Sequence, residues 1–347
     1  MKIFVVCPYG AVTGGPEALH QIIFYLRQIG IDAKLAYIAN PNETINIPEH
    51  YQIYCKDFCF LCDVPDDYDT YIIFPETHLY YLNNFSKAKK IVWWLSVDFN
   101  YYKRSIFDRI FNFVSYLPYY VVTYPRRKYH FKDDIILKCL SKKYKFYNRD
   151  EKVIDFHMCA SFYAFDYVSH RADKKVYKCI EPISRPFLIK YTQRKITIGC
   201  RKNVVLYNPK KSGKAVDLLK KHCKDISFIP LVGMTQDELI NNYCSAKLYI
   251  DFGPFPGAER IPKEAVLFGC AILTGIKGAS AFNGDVPIPQ KYKISFCKEH
   301  VPMIVNQIHY MIENYENIYH EFDEYRNTIL SLEDNFMKQL KELFDYE

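Results

Sequence analysis

Short apolar runs alternate along the chain with longer stretches whose apolar residues recur every three or four positions. Apolar runs between turn signals are typical of buried strands, and the longer periodic stretches are typical of amphipathic helices. This alternation predicts an α/β fold with parallel sheets. Residues 2–38 predict a strand with the apolar run 3–6, then a loop, a helix and a second strand. Further predicted strands cover residues 70–74, 90–97, 176–180, 203–207, 228–232, 248–252, 271–274 and 293–296.

Helix-start and helix-stop signals border several periodic stretches. Thr235 is a predicted N-cap because Glu238 follows three residues later, which is the capping-box spacing. Pro16 and Pro262 suit the first turns of two other helices, and Gly269 marks the end of the second. Further helical patterns cover residues 214–222, 301–319 and 329–344, and residues 153–170 predict a strand followed by a helix.

Length and composition predict two domains. A chain of 347 residues with 49% hydrophobic content can bury sizeable cores. Around residues 181–186, two prolines stand in a stretch without periodicity, which is typical of a linker. We expect an N-terminal domain over residues 1–182, a linker over 183–200, a second domain over 201–330 and a final helix over 331–347.

Several classes of protein are disfavoured by the sequence. The apolar run 3–6 is too short for a secretory signal. The longest uncharged stretch, residues 110–125, is too short for a membrane-spanning helix and is interrupted by Pro118. Twelve cysteines lack regular pairing, and the lone C-x-x-C of Cys59 and Cys62 has no second pair for zinc. The acidic run 66–69 precedes a strand, so it is not a D-x-D metal signature. We therefore expect a reduced, cytoplasmic protein with no obligatory metal.

Residues 101–150 differ in charge from the rest of the chain. This window holds 12 Lys and Arg against four acids, for a net charge of +8, whereas the whole chain carries +7. Aromatic residues lie between the charges, a pattern found at nucleic-acid sites and at anionic membrane surfaces. No nucleic-acid motif accompanies it. A membrane surface is thus favoured over nucleic acid, and a plain solvated face over both.

The loop after strand 248–252 concentrates charge. Glu259, Arg260, Lys263 and Glu264 fall within six residues, just where a helix begins. A solvated loop is one interpretation. The other is a binding site, because ligands of parallel α/β folds bind at the carboxyl ends of strands and a helix N-terminus attracts anions. Arg260 and Lys263 would reinforce that attraction, and Glu264 would accept hydrogen bonds from ribose hydroxyls.

Two other strand-end segments of the second domain offer binding groups. Residues 208–214 are not a P-loop, since the first Gly is missing and Ala215 stands where Ser or Thr holds magnesium. Their lysines still suit a diphosphate. After strand 228–232, the backbone at Gly233 and Met234 could border a flat base. The diphosphate candidates, among which the sequence does not choose, are Lys210, Lys211 and Lys214.

In the first domain, the turn around Gly14 and Gly15 lets backbone N–H groups approach a phosphate. It is not a dinucleotide fingerprint, because G-x-G-x-x-G is missing. His78 follows strand 70–74 and Asp98 follows strand 90–97, so both could line a cleft. His78 could equally be a surface loop histidine, and Asp98 a helix cap.

These motifs resemble those of GT-B glycosyltransferases, especially the retaining type. The resemblance rests on the pair Glu264 and Ala265 with Gly269 and the strand CAILT, and on the Gly-Gly-x-Glu turn that leads to His20. It implies two Rossmann-like domains facing a cleft, with the final helix returning to the first domain. One position departs from the pattern: Pro256 stands where those enzymes usually place a second Glu. Either Glu259 or Asp251 replaces it, or the role is absent; the sequence leaves these alternatives open.

The resemblance implies transfer of a sugar from a nucleotide-sugar donor to a hydroxyl group of a glycan or lipid-linked acceptor, in cell-surface polysaccharide or glycolipid synthesis. Basic residues and helix N-termini would stabilise the leaving diphosphate. A non-catalytic nucleotide- or sugar-binding protein and a GT-B epimerase or phosphorylase are the alternatives. The implied site comprises catalytic Glu259, Arg260 and Lys214; donor-binding Gly14, Gly15, Lys210, Lys211, Gly233, Met234, Lys263 and Glu264; and acceptor-side Glu17, His20, His78 and Asp98.

Overall fold

The computed structural model describes residues 1–99 and 151–344. The chain forms two compact units. Unit 1 comprises Met1–Ala160 and Ala164–Lys178, and unit 2 comprises Ser161–Tyr163 and Cys179–Glu347. The basic, aromatic window 101–150 lies outside the described residues, and the prediction of a membrane or solvated surface falls on it.

Eleven strands lie in the described residues, all in parallel sheets. They are β1 (Lys2–Pro8), β2 (Asp32–Ile38), β3 (Phe58–Phe60), β4 (Thr70–Pro75), β5 (Lys89–Trp94), β6 (Phe156–Cys159), β7 (Val176–Lys178), β8 (Lys202–Tyr207), β9 (Ser227–Pro230), β10 (Ala246–Asp251) and β11 (Ala271–Thr274).

Ten α-helices accompany these strands in the described part of the chain. They are α1 (Gly14–Gln28), α2 (Phe162–Ser169), α3 (Arg185–Thr192), α4 (Pro209–Leu219), α5 (Gln236–Ser245), α6 (Arg260–Leu267), α7 (Val301–Glu313), α8 (Tyr315–Ile318), α9 (Asp323–Leu330) and α10 (Leu332–Phe344).

The first sheet has seven strands in the order β3-β2-β1-β4-β5-β6-β7. Ile3 of β1 pairs in parallel with Ala33 of β2 and with Tyr71 of β4. Val5 and Val6 are fully buried, as expected for a strand covered on both faces. The strand order reverses between β1 and β4, and such a switch point opens a crevice at the carboxyl ends of the strands.

The second sheet has four strands in the order β11-β10-β8-β9. Leu248 of β10 pairs with Val205 of β8 and with Ala271 of β11, and all three side chains are buried. The order reverses between β8 and β10, which places the switch point of unit 2 beside the loops that follow these two strands.

The prediction of an α/β fold with parallel sheets is confirmed, and most predicted elements lie within a few residues of their observed bounds. The capping box of α5 is present: Thr235 N–H donates to Glu238 Oε2 at 2.7 Å, and Glu238 N–H donates to Thr235 Oγ1 at 3.3 Å. Gly269 ends α6 with a φ of +98°, a conformation that favours glycine.

Several elements differ from the sequence-based expectation, among them α9, which falls almost wholly between the predicted helices 301–319 and 329–344. Residues 208–214 are not a loop, because α4 begins at Pro209 with Asn208 as its N-cap. The expected linker contains α3. Residues 293–296 form no strand, and Lys293 makes only an isolated bridge to Thr274. The short strand β3 was not predicted, because its three residues show no alternation of apolar and polar positions.

The last helix, α10, belongs to unit 2. There Gln339 Oε1 accepts the N–H of Ile180 at 3.1 Å, and Glu333 pairs with Arg185 at 3.2 Å. Among the described residues, no helix combines the length and the apolar character that crossing a membrane requires.

Candidate functional site

The carboxyl ends of the four strands of unit 2 meet at one edge of the sheet, because all four run parallel. The segments that follow them therefore lie side by side. They carry every site residue that the sequence predicts for the second domain: Lys210, Lys211, Lys214, Gly233, Met234, Glu259, Arg260, Lys263 and Glu264.

The segment after β8 enters α4 directly. Asn208 Oδ1 accepts the N–H of Lys210 at 3.1 Å, and Pro209 occupies the first helical turn. Lys210 and Lys214 are exposed. Lys211 is half-buried and forms an ion pair with Glu259, with 2.5 Å between Nζ and Oε2. The three lysines thus lie in the first turns of a helix, where its N-terminal potential adds to their charge.

Asp251, at the end of β10, holds this edge together. Its Oδ1 accepts the hydroxyl of Ser212 and the N–H of Gly253, both at 2.9 Å. Its Oδ2 accepts the hydroxyl of Tyr249 at 3.0 Å. The hydroxyl of Ser212 in turn accepts the N–H of Phe252 at 2.9 Å. Asp251 is only 1% exposed, so its function here is to join β10 to α4.

Gly253 lets the loop after β10 pass close to α4. A Cβ at this position would lie 2.5 Å from Cβ of Lys211 and 3.1 Å from its carbonyl carbon. Neither atom is the end of a flexible side chain, so any larger residue would push the loop and the helix apart. The Lys211–Glu259 ion pair depends on this close approach.

Two charged side chains of α6 are buried. Lys263 is 4% exposed and Glu264 is 6% exposed, and the hydroxyl of Tyr243 donates to Glu264 Oε2 at 3.2 Å. Burial lowers the pKa of Lys263, whereas the nearby carboxylates of Glu181 and Asp285 oppose that shift. Burying charge is expensive unless another group compensates it, so a short helix with two such residues is a candidate ligand site.

The C-terminal end of α6 is fixed by a buried guanidinium. Arg201 donates to the carbonyl of Phe268 at 2.7 Å, and to those of Tyr243 and Ala246 at 2.8 Å. These carbonyls end α5 and α6, which would otherwise leave them without partners. Arg201 thereby orients both helices relative to the sheet.

Acidic residues near Lys263 and Arg260 also carry shifted pKa values. Burial raises the pKa of Glu259, and Lys211 opposes the shift. Burial likewise raises the pKa of Glu181, against the effect of Lys263 and Arg260. The pKa of Asp285 rises to about 6 through burial, although it accepts the N–H groups of Phe162 and Tyr163.

Glu181 and Asp285 were absent from the sequence-based site. Glu181 is the only charge in residues 179–184, which resembled a linker, and Asp285 lies in a predicted turn. Within the described residues, the buried atoms Oε2 of Glu181 and Oγ1 of Thr274 have no hydrogen-bond partner. Buried polar atoms are nearly always paired in native proteins, so unpaired ones indicate a missing polar group.

The segment after β9 places Gly233 and Met234 at the same edge. Gly233 has a φ of +65°, which favours glycine, and is exposed. Met234 packs partly against the core, and its sulfur accepts the side-chain amide of Asn242 at 3.6 Å. An exposed backbone turn beside a partly buried thioether can border a flat ring.

In unit 1, the residues after β1 are largely committed to the protein itself. The hydroxyl of Tyr54 donates to Glu17 Oε1 at 2.8 Å. His20 is 1% exposed; its Nδ1 lies 2.6 Å from the carbonyl of Pro16 and its Nε2 lies 2.7 Å from the hydroxyl of Tyr37. Burial lowers the pKa of His20 to about 4. With both nitrogens occupied, His20 holds α1 against β2.

The other predicted residues of unit 1 are more accessible. Gly14 is exposed and begins α1, two residues earlier than the expected start at Pro16. His78 is half-buried, burial lowers its pKa, and its Nδ1 lies 2.8 Å from the hydroxyl of Thr77. Asp98 is exposed in a short 3₁₀ helix after β5, where its N–H donates to Ser96.

No set of three or more His, Cys, Asp or Glu side chains in the described part of the chain is arranged to hold a metal ion. A reaction without an obligatory metal stays a prediction.

Comparison with solved structures shows which proteins share this fold. No protein-family model matches the chain, and no curated protein matches it either. The chain is similar to a sucrose-phosphate synthase from Thermosynechococcus elongatus, with 10% identity and a TM-score of 0.59 over 100% of this chain and 99% of that one. The chain is also similar to a glycosyltransferase from Rickettsia africae ESF-5, with 10% sequence identity and a TM-score of 0.59 over 99% of this chain and 98% of that one.

An alpha-glucosyltransferase solved with UDP is also similar, with 10% identity and a TM-score of 0.53 over 100% of this chain and 99% of that one. These likenesses span whole chains on both sides. The fold is therefore that of GT-B glycosyltransferases, which confirms the resemblance noted from the sequence.

Proposed function

We propose that the protein transfers a glycosyl group from a nucleoside diphosphate sugar to a hydroxyl group of an acceptor. The observation that carries this proposal is the carboxyl edge of unit 2. There two helix N-termini, exposed lysines and buried charged side chains lie beside the switch point of a sheet. On a fold that glycosyltransferases share, this is where an anionic, polar donor would bind.

The diphosphate is assigned to the start of α4 and α6. Lys210 and Lys214 present exposed ammonium groups in the first turns of α4. Arg260 begins α6 and offers a planar guanidinium that suits a phosphate. Because negative charge grows on the leaving diphosphate as the glycosidic bond breaks, these groups stabilise the transition state more than the bound substrate. Glu259 supports them by holding Lys211 in place.

The nucleoside is assigned to the neighbouring segments. Glu264 would accept hydrogen bonds from the ribose hydroxyls, beside the hydroxyl of Tyr243 that it already accepts at 3.2 Å. Gly233 and Met234 would border the base. Gly14 and Gly15 stay donor-side residues on the strength of the resemblance alone, and Lys263 belongs to the donor side. The UDP bound to the similar alpha-glucosyltransferase supports a nucleoside diphosphate as ligand.

The acceptor is assigned to unit 1, at Glu17, His78 and Asp98. Hexosyl transfer with retention, and a glycan or lipid-linked acceptor used in cell-surface polysaccharide or glycolipid synthesis, complete the proposal on the strength of the resemblance. Attachment to an anionic membrane surface depends on residues 101–150 and is tested by co-sedimentation with anionic and neutral liposomes at low and high salt.

One observation favours a non-catalytic binding protein as the second candidate. Pro256 stands where related enzymes have a glutamate, and the two expected replacements, Asp251 and Glu259, both bind protein groups. Such a protein would bind nucleotides and turn none over.

The test is a panel of nucleotide sugars based on uridine, guanosine, adenosine and thymidine diphosphates, assayed for hydrolysis and for transfer to sugar acceptors. Release of nucleoside diphosphate that depends on the acceptor supports the transferase. Tight nucleotide binding without turnover supports the binding protein, and formation of an epimer or a sugar phosphate supports an epimerase or phosphorylase. A protein that binds no nucleotide contradicts all three.

A further inference from the structure

Behind the N-terminal end of α6, unit 2 buries four ionisable side chains of opposite sign. We call Glu181, Lys263, Asp285 and Lys293 the inner cluster. Each is between 4% and 8% exposed. Their charges act on one another: Lys263 is influenced by Glu181 and Asp285, and Lys293 by Asp285. With two acids and two bases, the inner cluster is close to neutral when all four are ionised.

Two members of the inner cluster, Asp285 and Lys293, are hydrogen-bonded to neighbouring protein groups. Asp285 accepts the N–H groups of Phe162 and Tyr163 at 2.8 and 2.9 Å. Lys293 donates to Asn283 Oδ1 at 2.9 Å. Glu181 differs, because its Oε2 is buried and has no hydrogen-bond partner among the described residues. A buried carboxylate oxygen without a donor is costly, so a donor that is not part of the described chain is expected there.

The chemistry of the inner cluster selects the kind of donor. A diphosphate has only acceptor oxygens, so it cannot donate a hydrogen bond to Oε2 of Glu181, and its charge would be repelled by that carboxylate. A hydroxyl group both donates and accepts, so one hydroxyl can donate to Glu181 while its neighbour accepts from Lys263. A sugar ring carries such hydroxyls on adjacent carbons and is neutral, as the inner cluster is.

Lys263 links the inner cluster to the donor site. It lies on α6 between Arg260, which is assigned to the diphosphate, and Glu264, which is assigned to the ribose. Positions three and four residues apart on a helix share one face, so Arg260, Lys263 and Glu264 project from neighbouring points. With the diphosphate at Arg260, a sugar bonded to it would lie on the side of α6 that carries Lys263.

We infer that Glu181 and Lys263 bind hydroxyl groups of the transferred sugar and so determine which sugar the protein accepts. This inference rests on the proposed function, because it concerns the sugar part of the same donor. It assigns a carboxylate to the sugar in a chain that has Pro256 at the expected position and whose Asp251 and Glu259 bind protein groups.

The test compares the affinities of nucleoside diphosphates with those of the corresponding nucleotide sugars. Isothermal titration calorimetry on the full chain uses UDP, GDP, ADP and dTDP, and then their glucose or mannose adducts. The variant is Glu181→Gln, which keeps the shape but removes the charge. Glu342→Gln is the matched control, since Glu342 is an exposed glutamate of α10 in the same unit.

For the nucleotide that the wild type binds, Glu181→Gln should weaken the nucleotide sugar about tenfold or more, the worth of one hydrogen bond to a charged group. The nucleoside diphosphate alone should change by less than about twofold. The ratio of affinities for UDP-glucose and UDP-galactose, or the equivalent epimers, should also shift. If Glu181→Gln does not fold, Lys263→Gln is the second variant, with the same expected pattern.

If Glu181→Gln weakened the affinity for nucleotide and for nucleotide sugar equally, or weakened neither, the inference would be overturned. Glu181 would then have a structural role, with a buried water as its donor. These outcomes leave the proposed function standing, because the wild type still binds nucleotide. A wild type that binds none of the nucleotides or nucleotide sugars overturns the proposed function, and the inference with it.

Discussion

Both sheets bury charged side chains at their carboxyl edges, but the second sheet buries two of them on one short helix. At the edge of the first sheet, Glu76 is 3% exposed and its Oε2 accepts the N–H of Leu95 at 3.1 Å. In unit 1, Glu17 accepts from Tyr54, and His20 lies between Pro16 and Tyr37. In unit 2, Lys263 and Glu264 are almost fully buried on one short helix. The two units are built on similar parallel sheets, so the contrast comes from their sequences.

This difference indicates that a ligand would gain most of its binding free energy at unit 2. A buried charge lowers stability unless it is compensated, and natural chains keep such groups mainly at functional sites. In unit 1, His20 holds α1 against β2. In unit 2, Asp251 supports the charged residues at the carboxyl edge, and Arg201 fixes the opposite ends of α5 and α6.

The two tryptophans allow the units to be measured separately. Trp93 and Trp94 are the only tryptophans of the chain, and both end β5 in unit 1. Tryptophan fluorescence during urea unfolding therefore reports unit 1, and far-UV circular dichroism reports both units. Two probes are needed because a chain with two units need not unfold in one step.

The largest expected effect is that of Asp251→Ala in unit 2. The change leaves the hydroxyls of Ser212 and Tyr249 and the N–H of Gly253 buried without an acceptor. The free energy of unfolding should fall by roughly 3–5 kcal/mol in the circular dichroism transition. The fluorescence transition of unit 1 should stay in place.

The control for this prediction is Asp225→Ala, since the side chain of Asp225 is 69% exposed. It should change stability by less than about 0.5 kcal/mol. A loss below about 1 kcal/mol for Asp251→Ala would show that Asp251 is not the support of this edge.

The second effect concerns His20 and the pH dependence of unit 1. Its pKa is about 4 in the folded chain against 6.5 as the ordinary value, so the unfolded chain binds the proton first. Stability is therefore complete above pH 6.5 and is lost as the pH falls towards 4. Over this window the loss is about 3 kcal/mol, since one pKa unit corresponds to about 1.4 kcal/mol.

In His20→Gln, the fluorescence transition should lose this pH dependence, although the protein is less stable at pH 7. His170→Gln serves as control, because the side chain of His170 is 70% exposed. If His20→Gln keeps the acid sensitivity of the wild type, another group in unit 1 causes it.

Local patterns predicted the scaffold, and tertiary contacts set the site. Apolar runs predicted most strands, and Thr235 with Glu238 predicted the capping box, because these signals depend on near neighbours in sequence. The start of α4 was missed: Asn208 and Pro209 are good start signals, but Gly213 and the lysines favoured a loop.

The sequence also located the charged segment of unit 2 without showing which residues pair. The partner of Glu259 is Lys211 and that of His20 is Tyr37, and both pairings depend on strand order. Glu181 had no distinguishing pattern, since its importance arises from burial beside α6. Burial of a single side chain is a property of the packed fold, and periodicity does not report it for an isolated polar residue.

The third effect is that of Gly253→Ala. The added Cβ would lie 2.5 Å from Cβ of Lys211, so the loop after β10 and α4 must move apart. Overpacking of this kind costs about 1–3 kcal/mol, and it should also weaken nucleotide binding. Urea unfolding followed by circular dichroism and titration with nucleoside diphosphates measure the two losses.

Gly199→Ala is the matched control, because a Cβ at Gly199 meets nothing within 4 Å and its φ is not positive. It should leave both measurements unchanged. An unchanged nucleotide affinity in Gly253→Ala would show that the spacing of loop and helix does not matter to the site.

The smallest effect compares one ion pair from each unit by double-mutant cycles. Arg27 and Asp57 form a two-pronged pair in unit 1 at 2.8 and 2.9 Å, with side chains 35% and 53% exposed. Lys211 and Glu259 form their pair with side chains 19% and 21% exposed. Exposed pairs contribute about 0.2–1 kcal/mol, and less solvated pairs couple more strongly. The cycles use Arg27→Gln with Asp57→Asn, and Lys211→Gln with Glu259→Gln.

We expect a coupling energy of about 0.5 kcal/mol for Arg27 and Asp57 and of about 1–2 kcal/mol for Lys211 and Glu259. Salt should separate them further: raising the ionic strength from 0.1 to 1 M shortens the screening length from about 10 to 3 Å, which weakens the exposed pair more. Fluorescence measures the first cycle and circular dichroism the second. Equal couplings with equal salt dependence would mean that the lower exposure of Lys211 and Glu259 does not strengthen their pair.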